Sequence, residues 1–258
     1  MRRKKTKEVK VGGLKIGGNN PVVIQEMTST RTSDIDATVA QIHRLEENGC
    51  KLVRVSVLDI ESARAVKQIK EQIKVPLVAD VHFNYRLALL AIENGIDKLR
   101  INPGNIGGAH NIARVVSAAK ERGIPIRVGV NSGSLEKSIL KKYNGITAEG
   151  MVESALNEVA LLEKHNFYDT VISLKASDIE LTIESNKALT SRVSYPLHIG
   201  ITESGYGEEG RIRSLVGLGI LLLNGIGDTI RMSLTAPDRV ENIRLCADLL
   251  EELGIAYV

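Results

Sequence analysis

The segment KLRINPG, Lys98–Gly104, sets an arginine and an amide at alternate positions of an otherwise apolar run. On a strand, Arg100 and Asn102 share one face while Leu99 and Ile101 share the other. Other runs repeat this arrangement in the same phase. LVRVS brings Arg54 and Ser56 together, VADVH pairs Asp80 with His82, and IRVGVN aligns Arg127, Gly129 and Asn131. ISLK contributes Ser173 and Lys175, and IRMS contributes Arg231 and Ser233. HIGITE contributes His198, Gly200 and Thr202, with Glu203 directly after, and VVIQEM contributes Gln25 and Met27.

Brought to one depth, these residues carry five positive charges (Arg54, Arg100, Arg127, Lys175, Arg231) against two negative ones, Asp80 and Glu203. Like charge at that density is costly in a low-dielectric cleft, and an anionic ligand offsets the cost. Guanidinium forks match phosphate oxygens two at a time. Four arginines and a lysine suit more than one phosphate, so the pattern points to a small phosphoester with at least two negative charges. One arginine alone reads equally well as half of an ion pair with Asp80 or Glu203; five cations against two acids do not balance that way. Glu203, close to cations, has the setting of a general acid or base, although a helix-capping carboxylate at the surface is the plainer reading. Asp80 and His82, two residues apart, suit hydrogen bonding to substrate or proton transfer. With His198 the same spacing also allows a three-ligand metal site, which the surrounding cations disfavour.

The elements that position these residues recur along the chain. Eight apolar runs, at 21–27, 52–58, 76–82, 98–104, 124–130, 170–176, 196–202 and 228–234, alternate with helix-length amphipathic stretches. DIDATVAQIHRLEENG has an aspartate cap and a closing glycine, and NYRLALLAIENG and RVENIRLCADLLEELG also stop at glycine. Strict alternation predicts a parallel sheet, and a count of eight predicts closure into a (β/α)8 barrel with eight helices. An open doubly wound sheet is the alternative. In a barrel the polar positions all lie near the C-terminal strand ends, where such folds place their sites. Before the first run, EVKVGGLKIGG predicts a hairpin turning at Gly12-Gly13. The expected division is 1–18 as a basic tail and a β-hairpin plug under the N-terminal mouth, and 19–258 as the barrel.

Composition narrows the remaining classes. The 258 residues are 43% hydrophobic and 25% charged, with a net charge of +3 that is too small to argue for nucleic acid. The basic head MRRKKTKEVK reads as a solvated tail. No run is long enough for a membrane span, and only short valine-rich segments follow the basic head where a secretory h-region would stand, so the chain is expected to be cytoplasmic. Cys50 and Cys246 lie far apart, with no metal-type spacing, and read as buried apolar thiols. His43, His110 and His165 lie away from the strand ends. GYGEEG, Gly205–Gly210, is a literal GxGxxG between a strand and a helix. The acidic residue a dinucleotide site needs is missing from the end of the next run, whose Asp228 stands at its start. A flexible substrate loop or a phosphate-friendly helix start is the expectation.

Longer segments carry a resemblance. VADVHFNYRLALLAIENGIDKLRINPGNIG, IPIRVGVNSGSLEKSIL, VISLKASD, YPLHIGITESG and GIGDTIRMSLT, in this order, resemble the 4-hydroxy-3-methylbut-2-enyl diphosphate synthases. These are iron–sulfur enzymes of the non-mevalonate isoprenoid pathway, and the resemblance runs from about Val9 to the chain end. It implies a barrel that binds 2-C-methyl-erythritol 2,4-cyclodiphosphate and a two-electron reductive ring opening with loss of water. By motif, Arg54, Arg100, Arg127, Lys175 and Arg231 would hold the cyclic diphosphate, and Asn102, Asn131, His198, Thr202 and Ser233 would add hydrogen bonds. Asp80, His82 and Glu203 would serve substrate hydroxyls and proton delivery, with Glu203 the leading acid/base.

The resemblance also implies a C-terminal domain whose three cysteines and one glutamate ligate a [4Fe–4S] cluster, a homodimer in which that domain caps the partner's barrel, and ferredoxin or flavodoxin as electron donor. Cys50 and Cys246 do not match those ligands. The expectation is therefore a barrel that, by itself, binds substrate without reducing it. Two other readings fit the architecture: a pterin-type transferase barrel, which the two Phe, six Tyr and no Trp argue against, and a non-catalytic phosphoester-binding module.

Overall fold

The computed structural model describes residues 3–235 and 238–258. Strands β1 (Val9–Val11) and β2 (Leu14–Ile16) form the expected hairpin, with Val9 opposite Ile16 and Gly12 in the left-handed region its turn requires. Val9, Val11 and Ile16 pack on Val23, Leu52, Val78 and Val171, making a small apolar cluster separate from the main core. The hairpin's apolar residues thus meet four residues near the starts of barrel strands, away from the strand C-terminal ends.

The barrel strands are β3 (Val23–Met27), β4 (Leu52–Ser56), β5 (Leu77–Asp80), β6 (Lys98–Ile101), β7 (Ile126–Asn131), β8 (Thr170–Lys175), β9 (His198–Ile199) and β10 (Thr229–Ile230). All neighbouring pairs are parallel, in the order β8-β7-β6-β5-β4-β3-β10-β9, and a parallel bridge between Ile172 and Leu197 joins the two ends of that order. The predicted barrel is therefore the observed one. The last two strands are shorter than their apolar runs. At Gly200 the chain passes so near β10 that a Cβ would lie 2.6 Å from the Arg231 carbonyl oxygen, and regular pairing ends there.

Helices α1 (Ile35–Glu47), α2 (Ile60–Lys70), α3 (Tyr85–Glu93), α4 (Gly108–Glu121), α5 (Lys137–Lys142), α6 (Ala148–Glu163), α7 (Ile179–Thr190), α8 (Gly207–Leu223) and α9 (Val240–Glu252) surround the sheet. Asp34, Asp59, Asn84, Thr147 and Asp178 cap five of them through side-chain oxygens. The predicted eight helices become nine among the described residues. The extra one, α5, is a six-residue helix in the long connection after β7, too short to give a periodic signal of its own. Outward-facing strand residues such as Leu99, Ile101, Val128 and Leu174 join these helices in one large core, so the inward face is left to the polar positions.

The basic head is not a free tail. Arg3 donates to Asp228 Oδ1 at 2.6 Å, Thr6 Oγ1 donates to the same oxygen at 3.1 Å, and Lys7 lies 4.6 Å from the centre of the Tyr195 ring. Asp228 is buried at the base of β10, and an unpaired carboxylate there is costly; residues 3–7 supply the cation that satisfies it.

Candidate active site: a cationic barrel mouth

At the C-terminal ends of the strands lies a cavity of about 320 Å³. Arg54, Asp80, His82, Arg100, Arg127, Asn131, Lys175, Thr202, Glu203, Arg231 and Ser233 all line it, together with Ser173 and Arg239. Eleven of the thirteen residues singled out in the sequence thus meet in one place. The other two sit beside it. His198 is fully buried, its Nε2 3.1 Å from Lys175 Nζ and its Nδ1 2.7 Å from Thr229 Oγ1. Asn102 starts the 3₁₀ turn Pro103–Asn105, and its Oδ1 is buried without a hydrogen-bond partner.

Asp80 organises one side of the mouth. Arg100 Nη1 donates to Oδ1 at 2.9 Å, while Arg54 Nε at 3.7 Å and His82 Nε2 at 3.4 Å flank Oδ2. Burial pushes its carboxyl up, but Arg54, the His82 hydrogen bond and Arg100 outweigh burial and hold it well below the usual carboxylate range. Asp80 is therefore an anion held among two arginines and His82. Arg54 also rests on the sulfur of Met27, with Nη2 2.8 Å from Sδ, a soft neutral acceptor.

Two glycines make room for the head groups. A Cβ on Gly129 would lie 2.6 Å from Arg100 Nε, and one on Gly200 would lie 2.7 Å from Lys175 Nζ. Both stand at inward positions of strands that otherwise carry side chains there. Arg127 is 1% exposed, with Nε and Nη1 unpartnered. Burial, then Arg54 and Arg100, press its pKa downward, yet a guanidinium starts so high that it keeps its proton near neutral pH. Glu203 is exposed at the rim with φ +50°, a left-handed conformation that costs a non-glycine residue about 1 kcal/mol or more and clusters at functional sites.

Sequence reasoning missed Glu26. Strand phase directs it outward, yet its Oε1 accepts from Arg231 Nε at 2.9 Å and from the Met27 amide at 2.7 Å. The available signal was an acid inside a run otherwise bound for an apolar layer. It also missed Lys98, fully buried with an unpartnered Nζ, and Glu158, buried on α6 beside Asn102. Burial, with Glu136 adding repulsion, pushes the Glu158 carboxyl up to about 8. Within the mouth, then, Asp80 and Glu26 offset part of the charge, and among the described residues neither Arg127 nor Lys175 has a carboxylate within ion-pair distance.

GYGEEG begins α8, and Gly205 and Gly207 both have positive φ. A hollow there is lined by Glu208 and Glu209 with Arg213 and shares no lining residue with the cationic mouth. Cys50 and Cys246 are buried in the outer core, and burial pushes both thiols up to about 12. An iron–sulfur cluster requires accessible thiolates gathered together, so these two cysteines do not fit one.

Fold and site together define a closed (β/α)8 barrel whose C-terminal mouth is lined by more cations than carboxylates. A family model described as the GcpE TIM-barrel domain matches residues 6–247, and the chain belongs to that family. It is 60% identical over 253 residues to the 4-hydroxy-3-methylbut-2-en-1-yl diphosphate synthase (flavodoxin) of Caldanaerobacter subterraneus subsp. tengcongensis, covering 98% of this chain and 71% of the relative. With the enzyme of the same description from Geobacillus thermodenitrificans it shares 57% identity over 99% of this chain and 68% of the relative. Among solved structures, dihydropteroate synthase from Stenotrophomonas maltophilia superposes with a TM-score of 0.69 at 11% identity, covering 96% of this chain and 97% of that one. The enzyme from Xanthomonas albilineans, crystallised with 4-aminobenzoic acid, gives 0.66 at 11% identity, covering 97% and 98%. At such identity the likeness is one of fold.

Proposed function

We propose that this chain is the substrate-binding barrel of a 4-hydroxy-3-methylbut-2-en-1-yl diphosphate synthase, and that the mouth holds 2-C-methyl-erythritol 2,4-cyclodiphosphate by its two phosphates. The observation that carries the reading is the set of cations on five strands converging on one cavity, two of them, Arg127 and Lys175, without a carboxylate partner. Arg100, Arg127 and Lys175 stand on β6, β7 and β8, so neighbouring phosphates would span adjacent strands. Arg54 and Arg231 close the grip from β4 and β10, while Asn131, Thr202 and Ser233 offer hydrogen bonds at the rim. In this reading Asp80 and Glu26 are not ligands of the substrate. They hold Arg54, Arg100 and Arg231 in the poses a phosphate meets, so little side-chain ordering remains to be done on binding.

Glu203, at the rim and in a strained backbone conformation, is the acid that would protonate the departing hydroxyl during ring opening. His82, on the opposite side of Asp80 from Arg100, would contact a substrate hydroxyl. A [4Fe–4S] cluster supplies two electrons in this class of enzyme; no residues of this chain fit it, and the barrel's part is binding and orientation. The same reading makes flavodoxin the electron donor of the whole enzyme and a homodimer its working form.

Isothermal titration of the chain with the cyclodiphosphate at low ionic strength tests the proposal. Saturable binding that weakens with added salt is expected, since salt screens the long-range attraction between the cationic mouth and an incoming dianion. No saturable heat, with the protein folded, would exclude the mouth as an anion site.

A further inference from the structure

Lys175 differs from the other cations of the mouth in the partner it has. Its Nζ meets an imidazole nitrogen, His198 Nε2, at 3.1 Å, and the other ring nitrogen is fixed by Thr229 Oγ1 at 2.7 Å. The nearby acids are committed elsewhere: Asp80 on β5 to Arg54, His82 and Arg100, and Glu26 on β3 to Arg231. Glu203 lies exposed at the rim. From β6, Lys98 adds an unpartnered amine that burial, then Arg127 and Arg54, drive well below the ordinary lysine range, and from β7, Arg127 adds a guanidinium with two unpartnered nitrogens. The mouth without ligand thus holds an excess of positive charge that its carboxylates do not cancel.

A guanidinium does not lose its proton near neutral pH; an ammonium or an imidazolium does. The free mouth therefore lowers its repulsion at the lysine and the histidine. Burial first, then Arg127, Arg231, Arg54 and Arg100, drive Lys175 well below the ordinary lysine range. Burial, then Lys175, Arg127, Lys98 and Arg54, do the same to His198. The Thr229 hydroxyl donates or accepts equally well, so the neutral ring can donate to a neutral Lys175 amine or accept from a charged one by exchanging tautomers.

Resting on the anion-binding reading above, we infer that the mouth takes up a proton from solvent when a diphosphate enters, and that Lys175 is the group that receives it. The only bond formed is one N–H, on the amine lone pair, and the new ammonium then donates to a phosphate oxygen. The ligand is not the source of the uptake. A terminal phosphate titrates near pH ~6, but each phosphorus of a cyclic diphosphate carries one strongly acidic oxygen, so the ligand keeps both charges throughout the neutral range. Affinity for the cyclodiphosphate accordingly falls as pH rises across the range in which the free lysine is neutral.

Titration calorimetry with the cyclodiphosphate at one neutral pH, repeated in buffers of different ionisation heat, counts the protons. The wild-type chain is expected to take up about one proton per ligand. Lys175→Arg, charged in both states, is expected to bind with uptake near zero, and Lys175→Met to bind more weakly, also without uptake. Wild-type uptake near zero, or unchanged uptake in Lys175→Arg, overturns the assignment to Lys175. Absence of saturable binding in the wild type overturns the anion-binding reading instead.

Discussion

Gly129 and Gly200 are the points where a single methyl group would disturb the mouth most. Each is a lumenal strand position left empty so that a neighbouring cationic head, Arg100 or Lys175, has space. Gly129→Ala should fold, because only a side chain is displaced, yet lose at least one charge-assisted hydrogen bond to the ligand, about 1.5–3 kcal/mol. Paired measurements of melting temperature and cyclodiphosphate affinity check this: affinity drops at least about tenfold while stability changes little. Arg100→Ala should cost a similar ~1.5–3 kcal/mol of ligand affinity, read by the same titration; unchanged affinity would remove Arg100 from the site. At this scale the sequence was informative, because strand alternation alone placed Arg54, Arg100, Arg127, Lys175 and Arg231 on one face. It did not show which cations lack counter-ions, since Arg54 and Arg100 share Asp80 through contacts between different strands.

The element that departs most from simple alternation is β3. Glu26, outward by phase, curls back to Arg231 through a carboxylate that also accepts its neighbour's amide. Period-two reasoning fixes the direction of a Cα–Cβ bond; a three-bond side chain at the barrel edge can still reach round it. Both partners are nearly inaccessible to solvent, so Glu26→Ala leaves a buried guanidinium unpaired and should destabilise the fold by ~3–5 kcal/mol. Urea unfolding measures it, and a loss under about 1 kcal/mol would show that the pair is solvated. The strand runs themselves were legible, as were the hairpin and the caps. Helix α5 was not, because six residues give less than two turns of pattern. Nor was the strap formed by residues 3–7, since its partner Asp228 is more than 200 residues away in sequence.

At the scale of the whole molecule, polar groups are divided between an inner mouth that keeps its guanidinium charges and flanking layers that exclude charge. Glu158, on α6, stands at the boundary. Its carboxyl is raised to about 8 when folded, against about 4.3 in an unfolded chain. Between those values the native state holds a proton that the unfolded state has released, so stability falls as pH rises from ~4.3 to ~8. Glu158→Gln removes that titration. Its melting temperature should exceed wild type more at pH 8 than at pH 5, and equal differences at both would refute the shift. The closed barrel and its site at the strand C-termini followed from eight alternating runs. The balance of charge in the mouth was not legible, because Glu26 meets Arg231 only across the folded barrel.

The central claim is where the phosphates lie. A crystal structure of the chain soaked with the cyclodiphosphate tests it most directly. The account predicts both phosphates within hydrogen-bond distance of Arg100, Arg127 and Lys175, beneath Glu203. Phosphates found instead at the opposite end of the barrel, in the basic hollow beside Arg3 and Lys5, with the mouth empty, would contradict it.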